Sequence, residues 1–250
     1  MAVSGNAIAG WYRVINYVGQ IGTSQIHFSI QKYNHFGSGI TVLGSYYYNK
    51  YLSPILVYGL ENDDKSLTLC EARPHEEYEK ALIHDFKNGA DAVGCPLHLT
   101  LTNDGAIGEW RDSSHSYSVS LKQVGNLDDT AKEGVSIISG DMEIPFWGQT
   151  KRHTFIGVYQ ASYPEEVKIE VIDKKTGTIV QTIIPDPYCT RFGYFMTPIY
   201  MNLESGYFDL NSRYYHSESF YLNCWSSQAN ESRDYLFDKK AGKFRQSRNR

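Results

Sequence analysis

The chain lacks long apolar runs and the short motifs of common catalytic sites. None of its 250 residues belongs to a run of about 18 consecutive apolar residues, so the sequence predicts no transmembrane helix. It has no G-x-S-x-G nucleophile elbow, no H-E-x-x-H zinc pair and no glycine-rich phosphate loop. The histidines are scattered, and His27 and His98 lie inside alternating segments where packing or exposure explains them better than ligation. We therefore expect no enzyme and assign no catalytic residue.

Two further absences concern the N-terminus and the charge. The opening "MAVSGNAIAG" has neither a basic start nor an apolar core, so it is not an intact signal peptide. It fits a cytosolic N-terminus, or a chain from which a signal or a lipoprotein anchor has been removed. The formal net charge of −4 gives no electrostatic footprint for nucleic acid. We expect no nucleic-acid partner, and membrane association only through such an anchor.

The four cysteines contain no C-x-x-C motif, which disfavours a zinc or redox site. Two interpretations remain open. The first is that the cysteines are buried free thiols. The second is that they form the disulfides Cys70–Cys95 and Cys189–Cys224, each of which would cross-link the two ends of a long segment within one half of the chain. We expect the disulfides. Since disulfides persist in oxidising compartments, this favours the periplasm over the cytoplasm.

What the sequence does contain indicates an all-β protein. Its 20 tyrosines and the alternation in "GWYRVINYVG" and "SQIHFSIQKY" suit half-buried pleated strands. We predict two packed antiparallel units, meander- or sandwich-like with little helix, over residues 1–125 and 131–250. The polar, turn-rich "GNLDDTAKEG" separates them. The segment 71–94 is predicted to be a helical insertion or a mobile loop, and "DKKTG" (173–177) and "DKKAG" (238–242) are predicted hairpin turns.

The first half contains a series of short sequence motifs. Residues 44–50, "GSYYYNK", are followed by "SPILVYGLE", by "LTLCE" and later by a G-x-W strand at residues 108–110. From residue 10 to 124 this pattern resembles an uncharacterised bacterial envelope domain. The resemblance implies a β domain and little about activity.

The second half contains "MTPIYMNLESGYFDLN" followed by "YLFDKKAGKF". It resembles periplasmic inhibitors of peptidoglycan hydrolases, of the lysozyme-inhibitor type, which act as immunity proteins for bacterial secretion systems. The family's Y-x-x-D-x-x-x-G-x-F hairpin is matched by Tyr235, Asp238, Gly242 and Phe244. The resemblance implies a protein that binds a secreted toxin.

The same family has a D-x-N-x-D-G-x-x-D loop, which this chain matches only in part. Asn202 and Asp209 fit, Glu204 replaces the second Asp, Tyr200 stands at the first Asp, and Ser205 is inserted before the glycine. Calcium takes six to eight oxygen ligands, so these departures remove a ligand and shift the others. Two interpretations remain. We favour a strand end with solvated polar groups, and the alternative is a weakened calcium site with ligands Asn202, Glu204 and Asp209. The resemblance implies no other cofactor.

Two segments are candidate partner-binding surfaces, because Tyr, Trp and Arg most often anchor interfaces. The segment "LNSRYYHSESF" places consecutive basic and aromatic residues between two predicted strands. The segment "EIPFWGQTKR" contains two aromatic residues beside a predicted turn. The candidate residues are Arg213, Tyr214, Tyr215, His216, Phe146 and Trp147.

These observations lead to a functional hypothesis. We expect an immunity protein that binds and neutralises a cognate secreted bacterial toxin by occluding it. The alternative is an envelope lipoprotein or carbohydrate-binding structural module, whose tyrosine-rich strands would present aromatic faces to glycan. A buried triple-tyrosine strand would argue against that alternative, because alternation puts Tyr46 and Tyr48 on one face and Tyr47 on the other.

Overall fold

The computed structural model describes residues 12–33, 39–71, 95–128, 137–139, 142–150, 152–160, 163–184, 219–225 and 230–246. Within these ranges the chain is strand, turn and bend, without helix. This confirms the prediction of an all-β protein built from antiparallel sheets. No helix with the length and apolar character needed to cross a membrane occurs in the described ranges. Of the segment 71–94, for which the sequence predicts a helical insertion or a mobile loop, Glu71 is the last residue of a strand and residues 72–94 lie outside the described ranges.

The strands of these ranges form three antiparallel sheets. The first sheet contains β1 (Tyr12–Ile21), β2 (Ser24–Tyr33), β3 (Val42–Tyr48), β4 (Ile55–Glu61), β5 (Ser66–Glu71), β6 (Leu97–Leu101), β7 (Gly105–Arg111), β8 (Ser116–Asp128) and β9 (Ile137–Ser139). The second contains β10 (Met142–Gln149), β11 (His153–Gln160), β12 (Tyr163–Asp173) and β13 (Thr178–Ile183). The third contains β14 (Ser219–Trp225), β15 (Asn230–Asp238) and β16 (Lys243–Gln246).

The first sheet closes into an eight-stranded barrel. Strands β1 to β8 follow one another as a meander, and β8 returns to pair with β1 from Ile21↔Val119 to Arg13↔Asp128. A register shift between Asn16 and Tyr17 accommodates the closure. β9 continues the sheet from the far end of β8. Closure leaves the eight strands without a free edge along most of their length.

The interior of the barrel is a packed core. The inward side chains of all eight strands form one buried cluster, which is the filling expected of a barrel of this size. Its members include Ile15, Tyr17, Phe28, Ile30, Tyr46, Val57, Leu69, Leu97, Leu99, Ala106, Val119 and Leu121. Since the centre is filled, any binding site of the barrel must lie at an end or on its outside.

The second sheet packs on the outside of the barrel through β10. Met142 and Ile144 are fully buried, and the Ser45 hydroxyl donates to the Pro145 carbonyl at 2.9 Å. His27, on the outer face of β2, donates from Nε2 to the carbonyl of Glu143. The two units are therefore joined by apolar packing and by specific hydrogen bonds, as the prediction of packed sheets requires.

The third sheet joins the second at β13. The Gln181 side chain makes two 2.8 Å hydrogen bonds with the Phe244 backbone, donating to its carbonyl and accepting from its N–H. Phe155, Val171, Tyr235 and Phe244 share one buried cluster behind this contact. The hairpin residues that resemble the inhibitor family thus have structural roles here.

Both repeated turns are confirmed as hairpin turns. "DKKTG" joins β12 to β13, "DKKAG" joins β15 to β16, and the closing glycines Gly177 and Gly242 have φ of 68° and 63°. The predicted division into residues 1–125 and 131–250 stays a prediction. The strands add that β8 continues to Asp128 and that β9 belongs to the first sheet.

Candidate functional site

One end of the barrel gathers aromatic side chains around a carboxylate. Antiparallel pairing brings this about, because the register places Tyr46 opposite Ile55, Glu71 opposite Val57 and Trp110 opposite both Leu97 and Tyr117. The end of β3, the end of β5, the end of β7 and the start of β8 therefore meet at the same rim. We call this end the aromatic mouth, defined by Tyr46, Tyr48, Tyr51, Glu71, Trp110 and Tyr117.

Glu71 is the centre of the aromatic mouth. It follows Leu67 and Leu69 on the inward face of β5 and is half-buried. The Tyr46 hydroxyl donates to Glu71 Oε1 at 2.5 Å, and the Trp110 indole N–H donates to the same oxygen at 2.7 Å. Neutral donors on two different strands thus hold the carboxylate.

Further rings continue outward from these donors. Tyr46 and Tyr48 make an edge contact with centroids 5.6 Å apart, and Tyr48 meets Tyr51 at 6.4 Å. On the other side, Trp110 contacts Tyr117 at 5.8 Å. These separations are typical of favourable aromatic pairs. Tyr51 is 59% exposed and Tyr117 is 44% exposed, so the rim faces solvent while its base is buried.

The loop that carries Tyr51 is braced by backbone hydrogen bonds and by a contact with the second sheet. The N–H groups of Tyr51 and Leu52 both donate to the Tyr48 carbonyl, at 2.8 and 2.9 Å. Leu52 has a positive φ of 51°, which is uncommon for a side chain of this kind and persists only where the surroundings enforce it. The Thr154 hydroxyl donates to the Leu52 carbonyl, so β11 braces the loop from the second sheet.

The turn before Tyr117 is also braced by hydrogen bonds. Asp112 Oδ1 accepts from the N–H groups of Ser114 and His115, both at 2.7 Å. These backbone donors, which stabilise the carboxylate, lower the pKa of Asp112 below its ordinary value. The His115 ring stacks on Tyr117 with centroids 6.1 Å apart. The exposed side of the rim is therefore supported by a capped turn.

A disulfide lies beside the site. Cys70 is bonded to Cys95, so the residue before Glu71 is tied to the start of β6. This confirms the first of the two predicted disulfides. Cys189 lies outside the described residues, and Cys224 is placed on β14 with its side chain outside them. The second disulfide stays a prediction.

Among the six residues that define the aromatic mouth, Glu71 is the one with a carboxylate, and its environment affects the neighbouring phenols. Burial, and then the negative charge of Glu71, raise the pKa of Tyr46 well above its ordinary value. Burial is also the main reason that the pKa of Tyr48 is raised. Both phenols are therefore neutral at physiological pH, and the Tyr46 hydroxyl donates to Glu71. At the rim, Lys50 Nζ lies 5.3 Å from the centre of the Tyr51 ring, which is a cation–π distance.

Most residues selected from the sequence lie outside the described part of the chain. This holds for the partner-binding group Arg213, Tyr214, Tyr215 and His216, and for the calcium ligands Asn202, Glu204 and Asp209. Among the residues that the structure describes, no group of three or more His, Cys, Asp or Glu side chains is placed to hold a metal ion. The calcium interpretation stays a prediction.

Phe146 and Trp147 are placed on β10. The pairing of this strand with β11 shifts register between Pro145 and Gln149, so the two aromatics fall in the irregular stretch just before the turn at Thr150. Their side chains lie outside the described part of the structure. Their role in partner binding stays a prediction.

The sequence reasoning missed the residues that the barrel brings together. Alternation alone places Glu71 on the same strand face as Leu67 and Leu69. A carboxylate on the apolar face of a strand could therefore have identified Glu71 as a candidate site residue. Glu109 and Trp110, although adjacent in sequence, lie on opposite faces of β7. The Glu109 side chain is 41% exposed, and its Oε1 lies 3.7 Å from Arg111 Nη1.

The triple-tyrosine strand is buried in its first two positions. Tyr46 is 1% exposed inside the barrel, and Tyr47 is 7% exposed on the outside, where it stacks on His27. Comparison of the chain with models of protein families, with curated proteins and with solved structures finds no match. Functional inference therefore depends on the geometry of the aromatic mouth and on the sequence resemblances.

Proposed function

We propose that this chain is an immunity protein that binds a cognate secreted bacterial toxin and neutralises it by occlusion, without catalysing a reaction. The observation that carries the proposal is the exposed aromatic rim of the barrel, with Tyr51 and Tyr117 at its edge. Tyr and Trp are the side chains that most often dominate protein–protein binding energy, since they combine a large apolar surface with a hydrogen-bonding group.

Rigidity of the scaffold supports this role. An inhibitor that covers a cleft binds best when its surface is already ordered, because ordering side chains and loops on binding costs free energy. Here the barrel is closed by the β1–β8 pairing, the Cys70–Cys95 disulfide lies at the rim, and Thr154 braces the loop of Tyr51. Each feature reduces the freedom that a partner would otherwise have to remove.

The compartment and the toxin class belong to the same proposal. The Cys70–Cys95 bond is of the kind that persists in oxidising compartments, which supports the periplasm. The resemblance of the second half to inhibitors of peptidoglycan hydrolases supports a toxin that attacks the cell wall, and such a toxin would act in that compartment.

A neutralisation assay tests the proposal. The purified protein would be used to capture partners from the secreted fraction of its own cells, and each captured partner would be applied to the periplasm of sensitive cells. We expect one partner to kill these cells, and an equimolar amount of this protein, directed to the periplasm, to restore growth. A captured partner without toxicity, or a toxin whose killing is unchanged by the protein, would overturn the proposal.

Carbohydrate binding is the second candidate, because the exposed rings of Tyr51 and Tyr117 could also stack on sugars. The burial of Tyr46 and Tyr47 counts against the broad tyrosine face that this candidate needs. Retention of the purified protein on peptidoglycan or polysaccharide, together with no toxin in the capture experiment, would favour it over the immunity role.

A further inference from the structure

The Glu71 carboxylate is only partly satisfied by the protein. An ionised carboxylate offers about four acceptor positions on two oxygens. Both donors of the aromatic mouth, Tyr46 and Trp110, reach Oε1. Across the described residues no lysine, arginine or histidine forms an ion pair with Glu71, and none donates to Oε2. The site thus holds a negative charge with capacity for a further donor.

The surroundings of this charge favour a cation. The rings of Tyr48 and Trp110 pack against the apolar core beside Glu71, and Tyr51 and Tyr117 extend them towards solvent. Aromatic faces attract ammonium and guanidinium groups, and the attraction grows when the cation is desolvated. An anion would be repelled by Glu71. A neutral group would leave the half-buried carboxylate without a counter-charge, which is costly.

We infer that the aromatic mouth binds the cationic head group of a lysine or arginine side chain presented by the protein partner. This inference rests on the proposed function for the identity of the partner, and it adds the chemistry that the partner must supply. The side chain enters between Tyr48 and Trp110, its alkyl part packs on the rings, and its head group donates to Glu71 Oε2. The established hydrogen bonds to Oε1 remain in place.

Small probes test the inference without any partner. The Trp110 indole N–H, which is bonded to Glu71, gives a nuclear magnetic resonance signal that a Trp110→Phe variant identifies among the four tryptophans of the chain. N-acetyl-lysine amide and N-acetyl-arginine amide would be titrated into the protein, with the neutral N-acetyl-norleucine amide as matched control. We expect saturable shifts with the two cationic probes and none with the neutral probe.

Two variants test whether the negative charge of Glu71 is required for binding of the cationic probes. Glu71→Gln keeps an oxygen that can accept from Tyr46 and Trp110 but removes the negative charge, and we expect at least a tenfold weaker response to both cationic probes. Glu109→Gln is the control, since the partly exposed Glu109 side chain lies on the outer face of β7 beside Arg111. It should leave the titration unchanged. Circular dichroism checks that each variant is folded. If a variant does not fold, the comparison of cationic with neutral probes on the unmodified protein still tests the inference.

The outcomes separate this inference from the proposed function. No saturable shift with either cationic probe, an equal shift with norleucine, or an unchanged response in folded Glu71→Gln would overturn the inference. A toxin neutralised in spite of such a result would leave the proposed function standing. Probe binding together with failure to neutralise any toxin would reject the function and retain the cation site.

Discussion

His27 shows how a single residue joins the barrel to the second sheet. Its ring stacks on Tyr47 with centroids 5.4 Å apart, and its Nε2–H donates to the Glu143 carbonyl. Burial, which penalises the charged imidazolium, lowers the pKa of His27 to about 4, although the hydrogen bond to Glu143 acts in the opposite direction. The fold therefore requires the neutral ring.

A pH-dependent loss of stability follows from this shift. In the unfolded chain His27 takes up a proton near pH 6.5, whereas in the fold it does so only near pH 4. Between these values the unfolded state binds more protons, so the free energy of unfolding falls as the pH is lowered from about 6.5 towards 4. The full effect is on the order of 3 kcal/mol and is complete below the folded-state pKa.

Urea unfolding at pH 7 and at pH 4.5 measures this contribution. We expect the difference between the two pH values to shrink by about 2 kcal/mol in His27→Gln, whose amide can still donate to the Glu143 carbonyl. His98→Gln is the matched control, because His98 is exposed on β6. Equal pH dependence of His27→Gln and the unmodified protein would show that His27 does not titrate in this way.

At the scale of the element, the two "DKKxG" hairpin turns have the same hydrogen-bonding geometry. Asp173 Oδ1 accepts from the N–H groups two and three residues later, and Asp238 Oδ1 does the same. In each turn the fifth residue is a glycine with positive φ, whose N–H donates to the carbonyl of the aspartate. The repeat in sequence is therefore explained by turn geometry.

Substitution of Gly242 tests this account. A Cβ at Gly242 would meet nothing within 4 Å, so the expected cost comes from the φ of 63° alone. We expect Gly242→Ala to lower the free energy of unfolding by about 1 kcal/mol, and Gly242→Asn to lower it by clearly less, because asparagine tolerates this conformation. Chemical denaturation of the three proteins measures the difference. An alanine variant as stable as the unmodified protein would contradict the assignment.

Alternation and turn residues predicted most of these elements, because they depend on local sequence. Barrel closure was not predictable in the same way, since it depends on β1 pairing with β8, about a hundred residues further along the chain, in a register that includes the shift at Asn16. The aromatic mouth shares this limit. Alternation places Glu71 and Trp110 on strand faces, but their hydrogen bond also depends on the registers of β5 with β6 and of β6 with β7, which local sequence does not set.

At the scale of the whole molecule, the barrel and the second sheet bury a common surface. Ile144 on β10 is fully buried, and the adjacent Pro145 carbonyl accepts from Ser45 of the barrel. Thr154 and Leu52 make a second connection near the aromatic mouth. Because each sheet covers apolar side chains of the other, we expect them to unfold together.

Truncation at this interface tests the coupling. Ile144→Ala removes buried methyl groups and leaves a cavity, so we expect it to lower the free energy of unfolding by about 2–5 kcal/mol while keeping a single transition. Ile179→Ala, on the exposed part of β13, should change it by less than about 0.5 kcal/mol. Circular dichroism and tryptophan fluorescence should give coincident curves. Two separated transitions would show that the sheets unfold independently.

The central claim is that the aromatic mouth is the partner-binding surface, and the most direct test is the affinity of mouth variants for the captured toxin. Calorimetry would compare the unmodified protein, Tyr51→Ala/Tyr117→Ala, and Ile107→Ala, which alters an exposed side chain on the outside of the barrel. The account predicts at least about a hundredfold weaker binding for the tyrosine variant and unchanged binding for Ile107→Ala. A folded tyrosine variant that binds the toxin as tightly as the unmodified protein would contradict it.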